Sequence, residues 1–274
     1  MSTLPNAAPA GTEAFLPDEA PGAPLLHIEG GTATITLNRP QHLNRLHRAD
    51  LQVLQDYLAQ LAAHPELHAV VITATGRAFC AGYHIGELDA APTDAPAGPQ
   101  LFEQTVDLLE RLPLPTICLL NGSVYGGATD LALACDFRLG VSTLELRMPA
   151  ARLGLHYYPS GLVRYASRLG LGAAKRLFLL AEAVPADELL RIGYLDDLAD
   201  ADDLPALLQR YLDALAAGAP LALRGMKQAL NEFVRGDWVD AQVREREALC
   251  ASSADLREGL AAWRERRSPR FDGR

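Results

Sequence analysis

The stretch that decides the fold reads Asn121-Gly-Ser-Val-Tyr-Gly-Gly-Ala-Thr-Asp130 and runs on through Leu-Ala-Leu-Ala-Cys-Asp136. The apolar run before it, residues 115–120, contains β-branched residues and predicts a buried strand. Residues 128–134 are small and apolar with no helix breaker, which predicts a buried helix. Between them, Gly126 and Gly127 lack a Cβ and let the backbone approach another group closely. A glycine turn that opens a helix leaves N–H groups unpaired, so this place suits negative charge, a phosphate or a transient oxyanion alike.

Asp130 lies in the first turn of this predicted helix, and two interpretations are open for it. In one, its carboxylate serves chemistry beside the glycine turn. In the other, the motif is an ordinary strand–helix turn and Asp130 complements the positive end of the helix dipole. The motif alone is compatible with both.

Length and composition restrict the class of protein. The chain has 274 residues, 49% of them apolar, and a net charge of −9. An acidic chain is a poor partner for nucleic acid or an anionic membrane surface. Its four cysteines lack metal-ligand spacing, which predicts reduced thiols and a cytoplasmic protein without a bound metal. We see no apolar run long enough to cross a bilayer and no secretory signal, so we expect no membrane partner.

The order of the predicted elements indicates a largely parallel sheet. Residues 1–24 are rich in Pro, Ala and Gly and predict a mobile tail, and residues 90–98 predict an exposed loop. The predicted elements are a hairpin at 25–37, a helix at 47–63, a strand at 69–74, a helix at 100–111 and a strand at 136–141. Strands therefore alternate with helices, whereas the chain after Ser160 predicts helices almost throughout. We interpret residues 25–200 as one α/β core and residues 201–274 as a helical oligomerisation region packed on it.

A second glycine-containing loop, Arg77-Ala-Phe-Cys-Ala-Gly-Tyr-His-Ile-Gly-Glu-Leu88, also follows a predicted strand. Ligand sites of parallel sheets form where such loops meet at the carboxyl ends of the strands. Each loop offers one backbone N–H, from Tyr83 and from Gly127. Two donors that converge on one oxygen form an oxyanion hole, in which each donor is worth about 10²–10³ in rate.

Several motifs along the chain resemble the enoyl-CoA hydratase/isomerase (crotonase) family, in order and at the family's spacing. They are Ile35-Thr-Leu-Asn-Arg-Pro40, Ala78-Phe-Cys-Ala-Gly82, Asn121-Gly with Gly126-Gly127, Leu131-Ala-Leu-Ala-Cys-Asp136, Arg191-Ile-Gly193 and Pro220-Leu-Ala-Leu223. The resemblance implies a crotonase-like spiral of ββα units, an α/β fold with a helical C-terminal trimerisation region. It also implies a homotrimer or hexamer, an acyl-CoA thioester as substrate, and no cofactor apart from the coenzyme A of that substrate.

The resemblance further implies roles for single residues. The thioester oxygen is expected between the N–H groups of Tyr83 and Gly127. Residues expected at the substrate are Arg45, Ala81, Gly82, His84, Ile85 and Gly126. Arg45, together with Arg264, Arg266 and Arg267 of the C-terminal tail, suits the phosphates of coenzyme A, although a solvated helix end explains the tail arginines equally well.

Departures from the family pattern bear on the chemistry. Two glutamates flank the bound water in the family's hydratases; the first falls on Asp130 and the second on Ala150, which cannot move a proton. The segment Leu155-His-Tyr-Tyr-Pro-Ser-Gly161 is more similar to the methylmalonyl-CoA decarboxylase branch, where a tyrosine at the position of Tyr157 faces the acyl group. Tyr157 is therefore expected either to contact the acyl group or to pack against Tyr158.

Three other residues are candidates to replace the missing glutamate: His84, Glu145 and His156. The alternation of Glu145 with Leu144 and Leu146 favours a position on a strand surface. A loop histidine such as His84 more often caps a turn than carries chemistry. Trp238 and Trp263 are expected in the core or at a subunit contact.

These observations favour an acyl-CoA enzyme that stabilises a thioester enolate, with Asp130, Tyr157, Gly127 and Tyr83 as catalytic residues. Hydration or isomerisation through Asp130 is one reaction of this kind. The alternatives are decarboxylation, which needs no base to begin, and a catalytically silent acyl-CoA binding protein.

Overall fold

The structure, a computed structural model, describes residues 22–64, 66–87 and 98–274. Most of the predicted tail at 1–24 and of the predicted loop at 90–98 lies outside the described residues.

Ten strands and nine α-helices are present in these ranges. The strands are β1 (Leu25–Glu29), β2 (Thr32–Leu37), β3 (Ala69–Ala74), β4 (Ala78–Cys80), β5 (Thr116–Leu120), β6 (Ser123–Tyr125), β7 (Phe137–Val141), β8 (Glu145–Arg147), β9 (Val184–Pro185) and β10 (Asp197–Ala199). The helices are α1 (Arg48–Ala62), α2 (Gly98–Arg111), α3 (Ala128–Ala134), α4 (Pro159–Lys175), α5 (Ala186–Arg191), α6 (Leu204–Ala216), α7 (Pro220–Arg235), α8 (Asp240–Ser252) and α9 (Ala254–Glu265).

The strands form two sheets. The larger has the order β1-β2-β3-β5-β7-β10 and the smaller β4-β6-β8-β9. Every neighbouring pair is parallel except the β1–β2 hairpin and the β8–β9 pair. The predicted hairpin and largely parallel sheet are therefore confirmed.

One unit recurs along the chain: a strand of the larger sheet, a strand of the smaller sheet, then a helix. The three copies are β3-β4-α2, β5-β6-α3 and β7-β8-α4. Because each second strand leaves the larger sheet, the loops that follow β4 and β6 lie side by side in the smaller sheet. This arrangement brings the two predicted glycine loops together.

Apolar periodicity explains the core. Ala33, Ile35 and Leu37 alternate along β2 and are buried on one face. Every residue of α3 is buried. The leucines that recur at helical spacing in α1 are buried as well, namely Leu51, Leu54, Leu58 and Leu61. A helix that is apolar on all sides needs cover on all sides, and α3 is packed between α2, α4 and β6.

The chain after Ser160 is not as uniformly helical as predicted, since β9 and β10 lie there. The helix α4 runs through Gly170, which has a non-helical φ of +76°, and a π-helical segment at Arg176–Leu180 follows it. The helix α9 lies within the C-terminal region that the sequence predicts to be helical. Strands of two or three residues are too short to show periodicity, which is why the sequence did not reveal them.

The C-terminal helices carry much exposed apolar surface. Trp238 is 42% exposed and Trp263 78% exposed, so the predicted core position is wrong for both. The large apolar residues that are exposed on α7, α8 and α9 besides Trp263 are Met226, Leu230, Phe233, Val234, Leu249, Leu256 and Leu260. The oligomerisation role of this region stays a prediction. No helix in the described part of the chain has the length and apolar character to cross a membrane.

Candidate active site

A mainly apolar cavity opens between the two glycine loops and the start of α4. Its volume is about 180 Å³. The lining residues are Ala81, Tyr83, Ile85, Pro99, Phe102, Tyr125, Gly126, Gly127, Met148, Pro149, Ala150, Leu153, Leu155, His156, Tyr157 and Tyr158. None of these described lining residues is an aspartate or glutamate.

Two backbone N–H groups at the cavity wall lack an acceptor among the described residues. Tyr83 forms a parallel bridge with Leu46, in which Leu46 N donates to Gly82 O and His84 N donates to Leu46 O. Successive peptide groups point to opposite sides, so the Tyr83 N–H is directed away from Leu46. Gly127 immediately precedes α3, and its N–H likewise finds no partner in the described part of the chain.

Glycines bring the two loops into backbone contact. A Cβ on Gly82 would lie 2.9 Å from both the Gly127 nitrogen and the Tyr125 oxygen, and the φ of Gly82 is +87°. Gly126 also has a positive φ, +56°. Both conformations are ones that a side chain disfavours, so the sequence uses glycine at these two positions. A Cβ on Gly127 would lie 2.9 Å from the Phe102 ring, which forms part of the cavity wall.

Asp130 is completely buried and paired with an arginine from α4. The Arg164 Nε donates to Asp130 Oδ1 at 3.0 Å, and its Nη2 donates to Oδ2 at 3.1 Å. The same guanidinium contacts Glu110 at 3.0 Å and Asp107 at 3.1 Å. Burial by itself lowers the pKa of Arg164, but the Asp130 and Glu110 carboxylates outweigh burial and raise it. Arg164 is therefore a permanent cation, which compensates the buried charge of Asp130.

A pair of stacked tyrosines connects Asp130 to the cavity. The rings of Tyr157 and Tyr158 lie 4.4 Å apart at an interplanar angle of 23°. The Tyr158 hydroxyl donates to Asp130 Oδ2 at 2.5 Å, and the Tyr157 hydroxyl donates to the Tyr158 oxygen at 3.4 Å. Both of the roles predicted for Tyr157 thus fit its position, since it lines the cavity and packs on Tyr158.

Both tyrosines are held in the neutral form. Burial raises the pKa of each phenol well above its usual value, and the nearby Asp130 carboxylate raises it further. At neutral pH the pair offers O–H donors and no phenolate. Gly161 makes room for this arrangement, because a Cβ there would lie 2.4 Å from the Tyr157 ring and 2.9 Å from Asp130 Oδ2.

The structure separates the other predicted site residues into two groups. Ala81, Ile85, Gly126 and His156 line the cavity with Tyr83 and Gly127, and Ala150 lines it where a carboxylate was missing from the sequence. Gly82 supports the cavity wall from behind, as its contact with Gly127 shows. His84 and Arg45 lie outside the lining. The His84 ring packs on His47 with centroids 4.6 Å apart, and Arg45 Nε donates to His47 Nε2 at 3.3 Å. Partial burial and Arg45 lower the pKa of His84.

The remaining candidates are less close to the chemistry. Glu145 lies on β8, as the alternation predicted, and accepts a hydrogen bond from the Tyr125 hydroxyl at 3.1 Å. Among the tail arginines, Arg264 and Arg266 are exposed, and Arg267 forms ion pairs with Glu258 and Glu265. A role of these arginines in phosphate binding stays a prediction.

Sequence reasoning missed three residues that shape the site: Arg164, Phe102 and Glu87. Arg164 stands between Val163 and Tyr165, and an arginine among apolar neighbours is a signal that it needs a buried partner. The sequence gives no comparable signal for the packing of Phe102 on Gly127. Glu87 accepts a hydrogen bond from the cavity residue Tyr83 at 3.1 Å.

Comparison with known proteins agrees with this fold and cavity. The family model described as Enoyl-CoA hydratase/isomerase matches residues 27–274. The short-chain-enoyl-CoA hydratase of Clostridium acetobutylicum is 30% identical over 89% of this chain and 95% of its own length. The 1,2-epoxyphenylacetyl-CoA isomerase of Escherichia coli is 30% identical over 91% of this chain and 98% of its own length. The crystal structure of enoyl-CoA hydratase from Bacillus anthracis matches with a TM-score of 0.84 and 27% identity, over 92% of this chain and 99% of that chain.

The two sheets and the repeated ββα unit thus define a crotonase-fold protein, as the sequence motifs implied. The chain belongs to the enoyl-CoA hydratase/isomerase family. At the level of the family, it is an enzyme of coenzyme A thioesters.

Proposed function

We propose that this protein is an acyl-CoA enzyme that forms a thioester enolate and then protonates it. The thioester oxygen would accept hydrogen bonds from the Tyr83 and Gly127 N–H groups. Both groups border the cavity and lack other acceptors among the described residues, which supports this proposal. Donors fixed by the backbone need no reorganisation when negative charge develops on the oxygen, and this is the main source of their catalytic effect.

The proton donor in this proposal is the Tyr157 hydroxyl. Its hydrogen bond to Tyr158 is long, at 3.4 Å, so the Tyr157 O–H can turn toward the cavity at little cost. The Tyr158 O–H is held at 2.5 Å by the charged Asp130, and hydrogen bonds to ions are the stronger ones. Tyr158, Asp130 and Arg164 thus hold the donor in place, and Asp130 is a positioning residue rather than the acid itself.

The single observation that carries the proposal is that phenols and no carboxylate line the described part of the cavity. The described lining residues include phenols of raised pKa but no aspartate or glutamate. A phenol of raised pKa is a poor proton acceptor at neutral pH, whereas both hydration and double-bond migration require a group that takes up a proton. Among the described lining residues, only the imidazole of His156 remains for that role, and its Nδ1 lies 2.8 Å from the Tyr157 carbonyl oxygen.

Decarboxylation is the family reaction that fits such a site best. The bond between Cα and the carboxylate breaks, its electron pair passes into the thioester enolate, and CO₂ leaves. Tyr157 then gives its proton to Cα and regains one from solvent. The apolar lining around Ala150, Met148 and Phe102 would favour this step. It excludes water and so destabilises the charged carboxylate of the substrate, whereas the CO₂ that forms is neutral and loses little by the exclusion of water.

Hydration is the second candidate, supported by the similarity to the short-chain-enoyl-CoA hydratase of Clostridium acetobutylicum. The two candidates are distinguished by measuring three turnover rates side by side. The reactions are hydration of crotonyl-CoA, double-bond migration in 3-enoyl-CoA and loss of CO₂ from methylmalonyl-CoA. We expect CO₂ loss to be fastest and to fall about 10²–10⁴-fold in Tyr157→Phe. Efficient hydration that is indifferent to Tyr157 would refute the decarboxylase assignment. Tight acyl-CoA binding without any turnover would leave the silent binding protein.

We further propose that the enzyme is a cytoplasmic trimer or dimer of trimers that uses coenzyme A thioesters without another cofactor. The exposed apolar residues of α7, α8 and α9 support the assembly. All four cysteines are free thiols, which suits a reducing compartment. Light scattering that shows a stable monomer at micromolar concentration would contradict the proposed assembly.

A further inference from the structure

The Glu87 carboxylate joins the Tyr83 loop to the first turn of α1. The Tyr83 hydroxyl donates to Glu87 Oε2 at 3.1 Å, and the Arg48 backbone N–H donates to the same oxygen at 2.9 Å. The other oxygen, Oε1, lies 2.6 Å from His47 Nδ1. The two partners at α1 are distant in sequence, since Glu87 follows His47 by 40 residues and Arg48 by 39, whereas Tyr83 is four residues away in the same loop.

The contact with Arg48 satisfies an N–H group at the start of a helix of 15 residues. Such groups have no partner within the helix, and a carboxylate there is favoured by the helix dipole. Burial alone raises the pKa of Glu87, but the hydrogen bonds from Arg48 N, His47 and Tyr83 together lower it below its usual range. Glu87 is therefore ionised at neutral pH and binds its three partners as an anion.

The other end of the link is one of the two proposed oxyanion donors. The Tyr83 N–H and the Tyr83 hydroxyl belong to the same residue, so holding the side chain restricts the rotation of the backbone around Tyr83. The ring also lies 6.4 Å from the Phe102 ring, which packs on Gly127. Burial and Glu87 raise the pKa of Tyr83 to about 12, so the hydroxyl stays a donor.

We propose that Glu87 is a positioning residue of the oxyanion hole: by anchoring the Tyr83 side chain to the N-terminus of α1, it fixes the direction of the Tyr83 N–H. This inference rests on the proposed function of Tyr83 and Gly127. It assigns Glu87 no contact with the substrate. Its effect therefore belongs mainly to the transition state, in which negative charge develops on the oxygen.

Three variants test this role. Glu87→Ala removes all three contacts, and Tyr83→Phe removes only the hydrogen bond between the Tyr83 hydroxyl and Glu87. Asp50→Ala is the matched control, because Asp50 also caps α1, accepting from His47 N at 2.8 Å and from Arg39 at 3.0 Å, without contacting Tyr83. We expect Glu87→Ala and Asp50→Ala to lower the melting temperature by similar amounts.

Catalysis should separate the variants. Complete loss of an oxyanion donor costs about 10²–10³ in rate, so its misalignment in Glu87→Ala should lower kcat about 10–100-fold with KM changed less than about threefold. Tyr83→Phe should show part of this loss, and the double variant should be no worse than Glu87→Ala, because both changes break one link. A kcat for Glu87→Ala equal to that of Asp50→Ala would show that Glu87 only caps the helix.

A spectroscopic measurement distinguishes failure of this inference from failure of the proposed oxyanion hole. Butyryl-CoA carrying ¹³C at the thioester carbonyl is bound to each variant, and the infrared stretching frequency of the carbonyl is compared with that in water. We expect a shift to lower frequency in the wild type and in Asp50→Ala, and a smaller shift in Glu87→Ala. Equal shifts in all three would overturn the role of Glu87 alone. A wild type without any shift would contradict the oxyanion hole, and with it this role.

Discussion

Replacing Asp130 with asparagine separates two roles for the buried carboxylate of the site. The side chain keeps its shape but loses its charge, and one oxygen becomes an NH₂ group. That group is a donor, and it faces Arg164 in either orientation, because Arg164 Nε donates to Oδ1 and Arg164 Nη2 donates to Oδ2. One of the hydrogen bonds is therefore replaced by two opposed donors.

The stability cost follows from what Arg164 retains. Its contacts with Glu110 and Asp107 stay in place, so the guanidinium is not left without a counter-ion. We therefore expect a loss of about 3 kcal/mol, at the lower end of the ~3–5 kcal/mol for breaking a buried ion pair. In a chain of this length, such a loss of stability lowers the melting temperature by roughly 6–12 °C.

The catalytic cost depends on the role of Asp130. If it positions Tyr157 through Tyr158, a displaced donor should cost about 10²-fold in kcat. Tyr157→Phe, which removes the donor itself, should cost as much or more, up to about 10⁴-fold. The assay is kcat on the substrate with the fastest turnover, together with thermal unfolding of each variant.

Asp196→Asn is a suitable control, because Asp196 pairs with the buried Arg138 at 2.7 Å and is not among the described residues that line the cavity. It should lose stability and keep kcat. A rate loss in Asp130→Asn larger than in Tyr157→Phe would refute the positioning role and show that Asp130 moves the proton itself. A folded Asp130→Asn with the rate of the wild type would refute both roles.

Three further results are expected. Gly127→Val should abolish acyl-CoA binding in a folded protein, because even a Cβ would lie 2.9 Å from the Phe102 ring in the cavity wall; unchanged affinity by calorimetry would contradict this. Ala150→Glu, which places a carboxylate in the cavity, should raise crotonyl-CoA hydration at least about tenfold, whereas no gain would show that the wild type already supplies that group. An acid acts below its pKa, and that of Tyr157 is raised well above its usual value, so kcat should not fall between pH 7 and the ordinary tyrosine pKa of about 10; an alkaline limb near neutrality would implicate another group.

The sequence by itself determined the hairpin, the long parallel strands, the buried helix α3 and the two glycine loops. Each is indicated by a local sequence pattern. These patterns are the alternation along β2, the leucines at helical spacing in α1, and the glycines where the backbone turns between a strand and a helix. The family motifs added that the two loops meet. The sequence also indicated that a carboxylate is missing at Ala150, because this is a change of residue type at one position of a family motif.

Only the tertiary structure decided the partners of the polar side chains. The sequence identified Asp130 as a candidate, but not its partners. Arg164 is 34 residues further along the chain, and Tyr158 is 28 residues further along. No local pattern records such distances, because which side chains meet depends on how α3 and α4 pack. The same is true of Glu87 and the first turn of α1. Periodicity shows which face of an element is buried, whereas the pairing of buried charges is settled only when the elements pack together.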